Sequence, residues 1–254
     1  MKTLSAAALI AIMCTSVAAQ PTSSQQANQI APFNVTEKIT DALSSDMLLL
    51  TLDEFDQITQ LPRELSYFTQ LEILSANYNQ ISDLTPLKPL TELKLLSLIY
   101  TNVADLTPLS QLQKLEKLNL KGTKVTDLTP LSQLPALQTL SLYGTKVADV
   151  APLTQLTELA SLNLGYTRVS DVQMLGQLTQ LRSLSLVRTP VTNYDFLGQL
   201  TALEHLDVSY ANFEDFKLLL KLDNLQSLTI EMSKVMETHI LAEKVKQGLK
   251  IIYL

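Results

Sequence analysis

From residue 68 onward, apolar and polar positions alternate in a pattern that returns every 22 residues. The core of each return reads Leu-x-Leu, as in Leu118-Asn119-Leu120. Alternation at period two predicts a short strand with one buried face. It sets Leu118 and Leu120 inward, and Lys117, Asn119 and Lys121 on the opposite face. The register holds without insertion through eight units. One row runs Phe68, Leu90, Leu112, Leu134, Leu156, Leu178, Leu200, Leu222, and a second runs Leu74, Leu96, Leu118, Leu140, Leu162, Leu184, Leu206, Leu228. A single unit cannot bury its leucines, but stacked units can. Strands of successive coils then lie parallel, about 4.8 Å apart.

The return half of each unit is more polar. A third row is Asn79 followed by five threonines, Thr101 to Thr189, then Ala211 and Ser233. A fourth is Asp83, Asp105, Asp127, Asp149, Asp171, Asn193, Asp215 and Glu237. These carboxylates are predicted to accept backbone N–H bonds in the turn. A calcium ladder would need further oxygen ligands at fixed offsets, and none recur. Thr-Pro at 85–86, 107–108 and 129–130 predicts a threonine hydroxyl capping a short helical turn. The expected fold is an α/β solenoid, with a parallel sheet on the concave face and short helical turns or 3-10 segments on the convex face.

The ends depart from the period. Met1 and Lys2, an apolar run from Leu4 to Val17, and Val17-Ala18-Ala19 before Gln20 match a signal peptide over residues 1–19. Residues 20–32 read as a polar, flexible leader. Residues 33–66 read as an N-terminal helical cap and first partial repeat, with Val35, Ile39, Ala42 and Leu43 at helical spacing. The repeats occupy 67–237. Residues 238–254 read as a C-terminal cap, a helix stopped at Gly248 and a last strand over the open sheet edge. The apolar run near the start is shorter than a span of about 20 residues. The expectation is therefore an exported chain, periplasmic or secreted, without a membrane span.

The pattern LxxLxLxxT/NxVxDLTPL, carried from Phe68 to Glu237, resembles a leucine-rich repeat, specifically the 22-residue bacterial type found in internalins. The resemblance implies the solenoid fold and a binding scaffold, and it leaves the partner open. That family usually carries asparagine in the third row, bonding the turn backbone. Here five threonines stand in that row, and a hydroxyl makes fewer such bonds, so the resemblance implies weaker coupling between coils.

Composition removes several classes of function. The chain has 53 leucines, one cysteine and two histidines among 254 residues, which leaves no disulfide framework and no thiolate zinc site. A net charge of -6 and a pI of about 5.0 argue against a nucleic-acid partner. Phosphate-loop, dinucleotide and zinc-protease motifs are absent from the sequence, and no cofactor is expected.

Candidate chemistry lies on the concave side. The two columns after each Leu-x-Leu hold Tyr78, Tyr100, Tyr143, Tyr166 and Tyr210, five of the eight tyrosines, together with Arg188. Serine and asparagine fill the column inside the Leu-x-Leu. Tyrosine beside small polar residues is the chemistry of protein-binding surfaces. His205 and Asp207 share a face nearby and join the candidate site. They also suggest hydrolysis, but two strand residues on one face lie about 6.6 Å apart, and no nucleophile elbow accompanies them. Lys124, Lys146 and Arg168 read as a solvated charged edge. The expectation is a non-enzymatic protein that binds another protein. The alternative is an envelope module binding glycan or cell-wall polymer, with tyrosines stacked on sugar faces.

Overall fold

The computed structural model describes residues 48–53 and 58–254. The expected signal peptide, the leader and the helix expected over 33–47 lie outside the described residues. Ten strands form one parallel sheet in sequence order. They are β1 (Leu49–Thr51), β2 (Ile73–Ser75), β3 (Leu95–Ser97), β4 (Lys117–Asn119), β5 (Thr139–Ser141), β6 (Ser161–Asn163), β7 (Ser183–Ser185), β8 (His205–Asp207), β9 (Ser227–Ile230) and β10 (Lys250–Tyr253). From β2 to β9 each strand pairs with the residues 22 positions on, so Leu96 sits beside Leu118 and Leu118 beside Leu140. The solenoid expected from the period is the fold observed.

The return segments are 3-10 turns such as Thr107–Leu109, Thr129–Gln133 and Ala151–Gln155. Their slimness has a physical reason. Packed α-helices need 8–10 Å between axes, about twice the strand spacing. A 3-10 turn is narrower and rises about 2.0 Å per residue, so five residues span about the length of a three-residue strand. Between the layers lies one continuous core. A single coil supplies Leu112, Leu115, Leu118, Leu120, Val125, Leu128 and Leu131, none more than 1% exposed.

Two hydrogen-bond rows stabilise the turns. Asp83, Asp105, Asp127 and Asp149 each accept the N–H two residues on, at 2.8 Å. Side-chain hydrogen bonds with Thr85, Thr107 and Thr129, and then these backbone bonds, hold Asp83, Asp105 and Asp127 below the usual carboxylate range. In these four turns the aspartate thus satisfies the N–H of the first turn residue. The threonine expected to cap is instead the first residue of the turn, and Leu106 or Leu128 holds the cap position before it. The buried threonine row uses its hydroxyls differently. Thr101, Thr123, Thr145, Thr167 and Thr189 each donate to the carbonyl three residues back, at 2.6–2.9 Å. Asn79 makes three bonds, donating to Ala76 and Asn77 and accepting from Ile81. All of these lie within one coil. Coupling between coils at this level runs through the backbone instead, as in Lys124 N–H to the Val103 carbonyl at 2.8 Å.

Near the C-terminal end the core becomes aromatic. Tyr194, Phe213 and Phe216 pack edge-to-face at 5.0 and 5.1 Å, and burial pushes the Tyr194 phenol up to about 12. The last coil is followed by a 3-10 segment (Met232–Leu241), helix α1 (Ala242–Lys246), Gly248 in a left-handed conformation, and β10 beside β9. Buried Lys244 donates to the Leu222 carbonyl at 2.9 Å and lies 3.3 Å from Asp223. The Leu222 carbonyl also accepts the Leu225 N–H at 3.2 Å, so Lys244 adds a second bond that ties the cap to the preceding coil.

Candidate functional site

From β2 to β8 the strands end two or three residues before the tyrosine columns. Tyr78, Tyr100, Tyr166, Arg188 and Tyr210 therefore lie beyond the strands, at φ between 51° and 57°. Gly122 and Gly144 hold the same place in their coils, at φ 68° and 70°. Side chains with a Cβ pay about 1–2 kcal/mol in this left-handed region. From Tyr78 to Arg188 the N–H of each residue in the row reaches a carbonyl of the next coil, for example Tyr100 to Lys121 at 2.7 Å and Gly122 to Tyr143 at 2.8 Å. The turn thus extends the sheet's cross-coil bonding past the strands.

The side chains of this rim form one row. Tyr78 and Tyr100 have ring centroids 5.7 Å apart. Lys121 Nζ lies 5.5 Å from the Tyr100 centroid and 4.9 Å from that of Tyr143. Tyr143 and Tyr166 are 4.9 Å apart. The Arg188 guanidinium lies 5.4 Å from Tyr166 and 4.7 Å from Tyr210. Seven coils in succession thus contribute one aromatic or cationic rung each. Where the row needs room, the sequence supplies glycine. A Cβ on Gly122 would collide with the Tyr100 ring, and one on Gly165 would press on Tyr143 at 3.0 Å. Tyr78, Tyr100, Tyr166 and Tyr210 are 42–59% exposed. Tyr143 is half-buried, and burial, then Tyr166, raises its phenol above the ordinary tyrosine range. Lys121 belongs in the row, although its column does not mark it out among the candidates.

The remaining candidates have local partners. His205 Nδ1 is 2.8 Å from Ser227 Oγ. Asp207 accepts from the Ser209 N–H at 3.0 Å and its hydroxyl at 2.6 Å. Each residue thus has its closest polar partner elsewhere, and no orienting bond joins the two. The polar column inside the strands is also partly committed, since Asn119 and Asn163 accept the N–H groups of Lys121 and Gly165. At the first coils this becomes a network. Asp53 accepts from Ser75 Oγ and from both Asn77 nitrogens, and Asn77 in turn accepts from Ser97 Oγ and Ile99 N. Lys124, Lys146 and Arg168 are exposed. Among the described residues no cluster of three or more metal-ligating side chains occurs.

A family model described as Leucine Rich repeats (2 copies) matches residues 113–155. Internalin C2 from Listeria monocytogenes is similar in structure, with 29% identity and a TM-score of 0.64 over 70% of this chain and 82% of that one. The chain carries leucine-rich repeats of the internalin-like type. The functional domain of InlJ from the same organism matches at 21% identity and a TM-score of 0.53, over 79% of this chain and 49% of that one. The chain of a TLR13–ssRNA13 complex matches at 20% and 0.66, over 84% and 33%. These two show the fold alone. No curated protein matches the sequence. The internalin-like solenoid is an interaction scaffold, and no helix of its described residues is long and apolar enough to cross a membrane.

Proposed function

We propose that this protein is exported and binds another protein through the strand-end rim of its concave face. The observation that supports the site is the exposed row of tyrosines with Lys121 and Arg188 between their rings. Central aromatic and arginine anchors carry most of the energy of protein interfaces. Four tyrosines and an arginine also persist in a left-handed backbone that glycine would occupy without strain. Strained residues of this kind collect at functional positions. Export rests on the charge, apolar run and small residues of positions 1–19, with a mature chain beginning at Gln20, a flexible leader to residue 32 and caps flanking the repeats. The reading is of a binding protein without catalysis.

A photo-crosslinking side chain at position 143, expressed in the cell that makes the protein, tests the surface. Protein adducts are expected from position 143 and none from the exposed convex position 155. Adducts from 155 alone would place the interface elsewhere, and adducts to glycan would establish the alternative ligand class. Mass spectrometry of the exported chain is expected to begin at Gln20; an intact Met1 would remove the export reading.

A further inference from the structure

The row of rungs has a charge, an orientation and a spacing, and together they describe a ligand. We propose that the strand-end rim reads an extended acidic segment of the partner, running across the coils, with two carboxylates four residues apart and an apolar residue midway. This rests on the protein-binding reading above and adds the partner's chemistry.

Charge comes first. The chain is acidic, with a net charge of -6, yet the rungs include two cations and no acid. At the opposite rim, cations meet carboxylates, as in Lys94–Glu72 and Arg182–Glu204. Among the described residues no carboxylate pairs with Lys121 or Arg188. Ring faces hold these two cations in place and leave their charge uncompensated. An arginine between two rings keeps its planar fork free at the edge to take a carboxylate bidentately.

Orientation separates peptide from sugar. Tyr100 lies between Tyr78 and Lys121, Tyr143 between Lys121 and Tyr166, and Tyr166 between Tyr143 and Arg188. A ring flanked on both sides offers a partner its edge and hydroxyl. Stacking on a sugar requires an open face. A carboxylate or peptide backbone requires donors, and the ammonium, guanidinium and phenol groups supply them.

Spacing fixes the register. Lys121 follows β4 and Arg188 follows β7, three strand intervals or about 14 Å apart. An extended peptide advances about 3.4 Å per residue, so its residues i and i+4 are also about 14 Å apart, on the same face as i+2. With acids over Lys121 and Arg188, residue i+2 falls over the Tyr143–Tyr166 pair. The recognised pattern is acidic–x–apolar–x–acidic.

The test is selection from a phage-displayed library of random linear dodecapeptides on the full chain. Enriched peptides are expected to carry two acids four residues apart around an apolar residue. As synthetic peptides they should weaken about tenfold on Lys121→Gln and on Arg188→Gln, with urea unfolding checking that both variants remain folded. Replacing either acid by its amide should weaken binding equally. Acids at no fixed spacing would overturn the register. Peptides bound unchanged by both cation variants yet lost on Tyr143→Ala and Tyr166→Ala would overturn the acidic reading and leave the protein-binding surface standing. Peptides indifferent to the tyrosine variants too would remove both. Failure to enrich any peptide, or retention of cell-wall glycan fragments in place of peptides, would also overturn the proposal.

Discussion

Strand β7 carries an arginine near each end, and the two have different surroundings. Arg182, just before the strand, meets Glu204 of the next coil at 2.5 Å. Arg188, three residues past the strand, lies between the rings of Tyr166 and Tyr210. The contrast recurs at other coils. Before the strands, Glu72–Lys94 and Glu92–Lys114, each 22 residues apart, close at 2.9 and 2.5 Å. At the strand ends, cations are spaced by tyrosines. One rim is neutralised by its own neighbours. The other has an ordered, unneutralised surface built on strained backbone, and the proposed binding surface rests on that difference.

Both rims stand on the same floor, and breaking that floor should have the largest effect. Leu140 is 1% exposed at the centre of β5. Leu140→Ala is expected to destabilise by about 2–5 kcal/mol. Ser141→Ala, one residue on and partly exposed, should stay within about 0.5 kcal/mol. Urea unfolding of the two variants measures both. Equal effects would contradict the inward and outward assignment on which the two rims depend.

A smaller effect distinguishes a rim built for binding from one built for stability. Tyr166→Gly relieves a left-handed side-chain penalty of about 1–2 kcal/mol and loses a ring contact of about 0.5–1.5 kcal/mol. The net change in stability should lie within about 1 kcal/mol of zero. Tyr166→Val places a β-branched residue at φ 57°, where strain of about 1–3 kcal/mol is usual, and should be clearly the less stable of the two. If Tyr166→Gly unfolds as easily as Leu140→Ala, the ring serves the fold and the comparison of rims fails.

The sequence shows the floor far more plainly than the rim, for a physical reason. Every coil restates the row of leucine, one residue and a second apolar side chain, so the strands, their parallel stacking and the buried leucines follow from periodicity alone. The aspartate bonds were also legible, because Asp repeats at one offset before a turn. The threonine cap misled because the turn begins at the threonine itself, whose own N–H is taken by the aspartate two residues earlier. The rim was only half legible. Gly122 and Gly144 in the tyrosine column are the signal for positive φ, but tyrosine in the same column points toward strand. Lys121 and Tyr143 occupy the preceding column, one position earlier in the repeat. Only the turn geometry merges two columns into one row of rungs. The local bonds of Asn119, Asn163 and Asp207 are likewise choices of side-chain direction, which spacing does not encode.

The smallest expected effect returns to the two arginines of β7. Arg182→Gln removes a surface ion pair, and exposed pairs contribute about 0.2–1 kcal/mol. Arg188→Gln removes exposed cation–ring contacts of about 0.5–1 kcal/mol. Their effects on unfolding should thus be similarly small and hard to separate by stability alone. Sodium chloride and ligand should separate them. Added salt screens the Arg182–Glu204 pair, so the stability difference between Arg182→Gln and the parent should shrink toward zero as salt rises. Binding of an acidic peptide selected on the parent should survive Arg182→Gln unchanged and weaken about tenfold with Arg188→Gln. That difference should itself diminish in high salt, because it arises from one uncompensated charge. If both arginine variants weaken the peptide equally, long-range attraction has replaced local recognition, and the two rims are a single diffuse electrostatic surface.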